Sequence, residues 1–228
     1  MLGAEALVRW IKGNGSILLP SEFINFAEKN GLISGISNLV IDEVCNKVLL
    51  WIKKGYKDFT ISINITAEHL TNENNCKNLI ARIKSYHIPP QYIEFEITES
   101  MIINDFGEAL KNIQLIKEFG IKISMDDFGT GYSSLNYLKK LPIDIVKIDK
   151  SFIDAINEEE KDKVIFENII NICHSFKYAV VAEGVEDEEQ FETLKKMQCD
   201  IFQGYYFGKP VDENVFESRF LHQLLILH

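Results

Sequence analysis

The residues best suited to chemistry are carboxylate, amide and ammonium side chains that stand at the ends of short apolar runs. They are Asn64, Glu96, Asp126, Asp127, Lys147, Glu183 and Gln203. Carboxylates that are brought together need a cation to stay ionised, and oxygen ligands favour a hard divalent ion over zinc. The set therefore predicts an Mg²⁺ or Mn²⁺ site. The alternative interpretation is that strand ends are polar only because loops are polar.

The most specific local motif runs from Asp126 to Ser134, as Asp-Asp-Phe-Gly-Thr-Gly-Tyr-Ser-Ser. Adjacent aspartates can bridge two cations or give one ligand to each. The two glycines allow a sharp turn, and the serine hydroxyls can cap a following helix. Two aspartates before a glycine-rich turn also occur as plain turn chemistry. Their position after an apolar strand, in line with the other polar strand ends, favours the cation-binding interpretation.

Glu5 stands near the start of the chain, in a predicted strand over Ala4–Trp10. Strand alternation would place Glu5, Leu7 and Arg9 on the same face. If that face is interior, Glu5 joins the other carboxylates and Arg9 offers a guanidinium fork to a phosphate. An edge strand with a solvated Glu–Arg face is the alternative.

The elements that must position these residues alternate between apolar strands and amphipathic helices. The predicted strands are Ala4–Trp10, Phe59–Ile65, Tyr92–Ile97, Ile121–Met125, Ile143–Ile148, Tyr178–Ala182 and Cys199–Tyr205. Helical patterns between them end at Gly31, Gly55 and Gly120, since glycine can cap a helix. Strands that are apolar throughout indicate a parallel sheet covered by helices. About seven such units favour an α/β fold of the (β/α) barrel type, in which the carboxyl ends of the strands meet at one catalytic rim.

Composition and charge exclude several classes of protein. The 228 residues are 46% hydrophobic and 25% charged, which is ordinary for a globular domain. A formal net charge of −10 argues against binding to nucleic-acid polymers or anionic membranes. No run approaches the roughly 20 apolar residues of a membrane span, and the start does not resemble a signal peptide. These features predict a cytoplasmic location.

Cysteines and histidines form no metal or catalytic motif. The cysteines Cys45, Cys76, Cys173 and Cys199 are scattered without a CxxC pair, which predicts free buried thiols in a reducing compartment. The five histidines form no HxH or HExxH pattern. Zinc chemistry and catalytic cysteine chemistry are therefore not expected.

Seven motifs follow one another along the chain. They are Glu5-Ala6-Leu7 with Arg9 and Trp10, Asn64 within Ser62–Thr66, Glu96–Ser100, Asp126–Ser134, Lys147–Asp149, Glu183–Glu186 and Gln203–Tyr205. In this order they closely resemble the EAL domain family, bacterial phosphodiesterases that linearise cyclic di-GMP. The resemblance covers nearly the whole chain, and no motif position departs from the family pattern.

The resemblance implies a modified TIM barrel with one early antiparallel strand, formed by residues 1–228 as a single domain. Family members carry a further strand before the triplet that begins at Glu5. We therefore expect an N-terminally truncated domain whose first strand is missing. The apolar tail Phe220–Leu227 has helical spacing, so we expect it to be the last packing helix rather than a substitute strand.

The resemblance also implies two cation sites. The implied ligands of the first cation are Glu5, Asn64, Glu96 and Asp126, and those of the second are Asp126 and Asp127. Two cations would activate a water and stabilise the charge that develops on the phosphoryl group. Lys147 would orient the attacking water, and Glu183 would act as general base.

Further residues would bind the substrate or support the site. The implied substrate contacts are Arg9, Leu7 and Gln203. Glu99 would anchor the Asp126–Ser134 loop and couple it to a dimer interface, while Glu186 and Asp149 would support the site from behind.

The function implied is metal-dependent hydrolysis of cyclic di-GMP to linear 5′-pGpG. One alternative is a receptor that holds cyclic di-GMP without cleaving it, and another is a protein-interaction module whose site is vestigial. The resemblance further implies a homodimer formed through the region after the Asp126–Ser134 loop. It also implies fusion to sensory or GGDEF-type domains in a longer protein, which can itself be anchored to a membrane.

Overall fold

The computed structural model describes residues 2–103, 105–129, 135–156 and 160–222. In these residues the strands are β1 (Leu2–Glu5), β2 (Trp10–Ile11), β3 (Ile17–Leu18), β4 (Phe59–Asn64), β5 (Ile93–Thr98), β6 (Lys122–Phe128), β7 (Ile145–Ile148), β8 (Ala179–Ala182) and β9 (Ile201–Phe202). Seven of them form one sheet in the order β1-β4-β5-β6-β7-β8-β9, and every neighbouring pair is parallel.

Helices cover this sheet. They are α1 (Pro20–Lys29), α2 (Ile33–Lys53), α3 (Ala67–Thr71), α4 (Glu73–Ser85), α5 (Glu99–Ile103), α6 (Phe106–Phe119), α7 (Leu135–Leu138), α8 (Lys150–Ala155), α9 (Glu160–Ser175), α10 (Glu188–Lys196) and α11 (Glu213–Phe216). A 3₁₀ turn occupies Pro90–Tyr92, and a π-helical segment, Glu217–Leu221, continues α11.

The sheet curls so that its two edge strands approach each other at their carboxyl ends. Gln203, directly after β9, donates its side-chain amide to Glu5 at the end of β1 over 3.2 Å. In β4, β5 and β6 apolar side chains alternate with polar ones, so these strands are not apolar throughout as predicted; their apolar face is buried, and residues such as Ile63, Phe95 and Val146 are fully buried. This arrangement confirms the predicted α/β barrel fold.

Helix periodicity and glycine caps are also confirmed. Ala109, Ile113 and Ile116 on α6 are buried, and Gly120 ends that helix at a φ of 100°, in the left-handed region that glycine adopts without strain. Gly31 and Gly55 follow α1 and α2 with φ values of 67° and 92°.

The first predicted strand is wrong beyond Glu5. Pairing with β4 ends at Glu5 opposite Ser62, although β4 itself continues to Asn64, and the Ala6 amide makes the last backbone hydrogen bond to β4, at the Ser62 carbonyl. The chain then leaves the sheet and forms the antiparallel hairpin of β2 and β3, which closes around a Gly-Asn-Gly turn. Within the described residues, the antiparallel pairing is that of β2 with β3. The strands of the seven-stranded sheet are all parallel, so the early antiparallel strand implied for the barrel is not seen in it.

Other strand boundaries shift by a few residues. Tyr92 lies in the 3₁₀ turn before β5, and β9 ends at Phe202 because a tight turn begins at Gly204. Strand β6 extends through Asp126 and Asp127 to Phe128, so these two aspartates lie within the strand rather than after it.

Several other predictions can be compared with the described residues. All four cysteines are free and buried, as expected. No helix in the described ranges has the length and apolar character needed to cross a membrane. Residues 130–134 of the aspartate loop and residues 223–228 of the apolar tail lie outside the described residues.

Candidate functional site

Lys147 on β7 lies at the centre of the rim. Its ammonium nitrogen is 2.7 Å from Glu96 Oε1, 2.7 Å from Glu183 Oε1, 3.3 Å from Asp126 Oδ1 and 4.0 Å from Glu5 Oε2. Lys147 and Glu96 are almost fully buried, with 2% and 1% of their surface exposed. We call Glu5, Glu96, Asp126 and Glu183 the carboxylate cluster. Its members come from or directly follow β1, β5, β6 and β8, so the convergence follows from the curl of the sheet.

Side-chain amides connect the cluster across the open edge of the sheet. The Asn64 amide donates to Glu5 Oε1 over 2.7 Å and to Glu96 Oε2 over 3.1 Å. Gln203 donates to the second oxygen of Glu5. The predicted rim residues Glu5, Asn64, Glu96 and Gln203 are therefore brought together as one hydrogen-bonded arc.

Asp126 and Asp127 occupy an irregular end of β6. The pairing of β6 with β7 shifts register between Met125 and Phe128, as in a β-bulge. Asp127 has a φ of 55°, which is strained for a residue with a side chain, and its amide donates to Asp126 Oδ1 over 3.0 Å. The bulge keeps Asp126 in the cluster.

Burial and mutual repulsion shift the acidity of the cluster. Burial raises the pKa of Glu96 to about 9, with Glu5 and Asp126 adding to the rise and Lys147 opposing it. Burial raises the pKa of Glu183 to about 7, again opposed by Lys147. Burial lowers the pKa of Lys147, but the four surrounding carboxylates outweigh this and raise it above its usual value. The geometry thus stabilises the charged lysine and leaves negative charge among the acids in excess.

Burial also raises the pKa of Asp127, and the neighbouring charges of Asp126 and Asp149 act in the same direction. Asp149 itself caps α8, where its carboxylate accepts the Ser151 amide over 3.0 Å. Its contribution to the rim is therefore its charge, while its oxygen is committed to the helix cap.

The loop after β8 is held by a lysine that sequence reasoning missed. Lys150 pairs with Glu186 over 3.1 Å and with Asp154 over 2.7 Å, so it ties the loop after β7 to the loop after β8. The loop is also tight at Gly184, where an added Cβ would lie 2.4 Å from Lys150 Cγ. The available signal was this glycine between Glu183 and Glu186, because it indicates a close approach of two chain segments.

Three predicted residues stand apart from the carboxylate cluster. Leu7 is 42% exposed, and the Arg9 guanidinium donates to the neighbouring Val8 carbonyl over 2.9 Å. The shared face predicted for Glu5, Leu7 and Arg9 is wrong because the strand ends at Glu5. Glu99 begins α5 and lines a small apolar cavity together with Phe128.

The donor chemistry fits a hard divalent cation. Glu5, Glu96 and Asp126 offer carboxylate oxygens that already converge on one positive charge, and Asn64 offers an amide within the same arc. Within the described ranges, no three acidic, imidazole or thiol side chains stand at the spacing of a finished ion site, because the carboxylates are arranged around Lys147. The ligand assignments stay predictions that this donor set supports.

The family model described as "EAL domain" matches residues 1–210. Signaling protein YkoW of Bacillus subtilis is 41% identical over 98% of this chain and 28% of its own length. The bifunctional diguanylate cyclase/cyclic di-GMP phosphodiesterase MucR of Pseudomonas aeruginosa is 36% identical over 92% of this chain and 31% of its own length. The chain thus spans less than a third of these curated relatives.

The fold is also similar to a solved structure described as the PaMucR phosphodiesterase in a c-di-GMP complex. The TM-score is 0.88 at 35% identity, covering 94% of this chain and 87% of the other.

Proposed function

Because the chain belongs to the EAL domain family, we propose that it is a metal-dependent phosphodiesterase that hydrolyses cyclic di-GMP to linear 5′-pGpG. The observation that carries the proposal is the convergence of four carboxylates on the buried Lys147 at the carboxyl ends of parallel strands. Carboxylates in excess over lysine suit a site that gathers divalent cations around a phosphodiester.

In this proposal the rim residues hold two cations. The first would be held by Glu5, Asn64, Glu96 and Asp126, and the second by Asp126 and Asp127. Bound Mg²⁺ or Mn²⁺ ions supply Lewis-acid stabilisation of phosphate charge and lower the pKa of an attacking water.

In this proposal the chain's own residues accept the proton of the attacking water and offset negative charge on the phosphoryl group. Hydrolysis joins a water oxygen to phosphorus and breaks the P–O3′ bond of one linkage, and solvent returns a proton to the 3′ oxygen. Glu183 is the proposed acceptor of the water proton, since a carboxylate with a pKa of about 7 is matched to neutral conditions. Lys147 is proposed to orient the water and to offset negative charge on the phosphoryl oxygens.

Substrate contacts and supports are proposed for the remaining residues. Gln203, Arg9 and Leu7 would contact the nucleotide, and the Arg9 guanidinium keeps further N–H donors besides the one on the Val8 carbonyl. Glu186 would support the loop of Glu183 through its pair with Lys150.

The test is product analysis of cyclic di-GMP incubated with the protein in Mg²⁺, in Mn²⁺ and in EDTA. We expect 5′-pGpG with either metal and none in EDTA. Glu94→Gln is a matched control, because Glu94 lies on β5 two residues from Glu96 yet accepts a hydrogen bond from Ser62 instead of Lys147. Tight binding of cyclic di-GMP without any product would contradict the enzyme and support a receptor.

We also propose a homodimer through the region after the Asp126–Ser134 loop, within a longer protein that carries sensory or GGDEF-type domains. Two exposed apolar side chains line a small cavity together with Phe128, Ile103 at 51% and Tyr137 at 47% exposure. Light scattering of the chain and of an Ile103→Lys, Tyr137→Lys variant tests the dimer, which the double variant should dissociate.

A further inference from the structure

The ion pairs of Lys147 use oxygens that a divalent cation would also need. Glu96 Oε1 lies 2.7 Å from the Lys147 ammonium nitrogen in an ion pair, and Glu96 Oε2 accepts a hydrogen bond from Asn64. Glu5 accepts from Asn64 at Oε1 and from Gln203 at Oε2, which is also 4.0 Å from Lys147. Both oxygens of each glutamate therefore face an N–H group, and a cation that binds these oxygens has to displace a donor.

The charges of the carboxylate cluster stabilise the buried ammonium group of Lys147. Four carboxylates share the ammonium group of Lys147, a residue that is 2% exposed. Nearby cationic side chains are engaged elsewhere, Lys150 with Asp154 and Glu186 and Arg9 with a backbone carbonyl. Removing the one charge inside a buried ionic group leaves its partners uncompensated, which is strongly unfavourable.

We propose that Lys147 is an internal counter-ion that holds the carboxylate cluster together when no divalent cation is bound and competes with the divalent cation for the same carboxylates. The competition rests on the cation sites of the proposed function, whereas the counter-ion role does not. A lysine that merely positioned the ligands would behave differently, because its loss would weaken cation binding. A competing lysine opposes binding through its charge, so its loss should strengthen binding.

The test compares Lys147→Met with Lys150→Met by thermal unfolding and by Mn²⁺ titration calorimetry. Methionine keeps much of the length of lysine and removes the charge. Lys150→Met is the matched control, since Lys150 lies three residues away and forms ion pairs on the surface.

In EDTA we expect Lys147→Met to lower the melting temperature by about 10 °C, and Lys150→Met by about 2 °C or less. Saturating Mn²⁺ should restore most of the loss in Lys147→Met. The Mn²⁺ dissociation constant should fall about tenfold in Lys147→Met, through removal of the competing charge, and stay within about twofold in Lys150→Met.

An unchanged melting temperature in EDTA would overturn the counter-ion role, and unchanged or weaker Mn²⁺ binding in Lys147→Met would overturn the competition. A variant that fails to fold in both EDTA and Mn²⁺ would also overturn the proposal, because the lysine would then be needed whatever cation is present. If the unaltered protein binds no Mn²⁺, the cation sites of the proposed function and the competition both fail, and the measurement in EDTA still decides the counter-ion role.

Discussion

Carboxylates occur at both ends of the sheet, but the partners of these carboxylates differ between the two ends. At the amino ends of the strands, Asp144 accepts the Ile123 amide over 2.8 Å and pairs with Lys117 from α6. Asp200 repeats the arrangement by accepting the Val180 amide over 2.8 Å and lying 2.9 Å from His174 of α9. At the carboxyl ends, four acids share the single charge of Lys147.

The difference between the partners at the two ends distinguishes acids that stabilise this fold from acids that serve the proposed function. Asp144 directly precedes β7. It accepts a hydrogen bond from the neighbouring strand β6 and has a basic partner, Lys117, from the helix before β6. Asp200 precedes β9 in the same way, with β8 as the neighbouring strand and His174 as the basic partner. Each acid is matched by one amide and one base, so it adds to stability. In the carboxylate cluster four acids share one basic side chain, and a role in stability alone does not explain this excess of acids. Barrels of this type place stability at the amino face and catalysis at the carboxyl face.

The sharpest way to break this comparison is to neutralise an acid at the carboxyl end. We expect Glu96→Gln to lower kcat/KM for cyclic di-GMP about 1,000-fold, because loss of a ligand charge removes several kcal/mol of transition-state stabilisation. Steady-state product analysis measures the effect, and folding is checked by circular dichroism. Glu94→Gln on the same strand should retain near-normal activity. Comparable losses in both variants would show that β5 tolerates no substitution and that Glu96 has no special role.

Much of the rim was predictable because a barrel forces strand ends together. Asn64, Glu96, Asp126 and Glu183 each lie near or just after the carboxyl end of a predicted strand, and parallel pairing then brings them to one end. No contact needs to be known in advance for this inference. Only the existence, order and direction of the strands are required.

The remaining features depend on contacts that spacing does not encode. Arg9 and Leu7 follow Glu5 with perfect alternation, yet alternation predicts a shared face only while the strand continues, and the pairing of β1 with β4 ends at Glu5 opposite Ser62. An aspartate before a strand, such as Asp144, is indistinguishable in sequence from any polar loop residue. That Lys147 would be shared among four acids follows from three-dimensional distances alone.

The excess of negative charge at the carboxyl end also predicts a pH dependence. With a pKa of about 9, Glu96, a proposed ligand of the first cation, carries a proton near neutral pH that a divalent cation must displace. Mn²⁺ affinity should therefore rise with pH between about 6 and 9, up to roughly tenfold per pH unit for each displaced proton. Calorimetry in two buffers of different ionisation enthalpy should detect proton release. Affinity that is flat in pH, with no proton release, would contradict the assignment.

At the amino end the same kind of change should affect stability only. Asp144→Ala leaves the Ile123 amide without its acceptor, and we expect a loss of about 2 kcal/mol in the free energy of unfolding. Urea unfolding measures the loss, and activity at low temperature should be unchanged. Asp154→Ala is the control, because Asp154 forms a surface pair with Lys150 and should cost about 0.5 kcal/mol or less. A large activity loss in Asp144→Ala would break the division between the two ends.

The smallest effect concerns His174, the partner of Asp200. This pair is partly exposed, with about a third of each side chain accessible (35% and 39%), so we expect His174→Ala to cost only about 0.5 kcal/mol. Asp200→Ala should cost about 2 kcal/mol, since the Val180 amide then loses its acceptor. Urea unfolding of the two single variants and the double variant separates the contribution of the His174 contact from that of the Val180 amide hydrogen bond. If His174→Ala proves as costly as Asp200→Ala, the contact with His174 rather than the hydrogen bond from the Val180 amide stabilises this end. The two ends of the sheet would then differ in the number of acids that share a basic partner, rather than in whether each acid has a backbone partner.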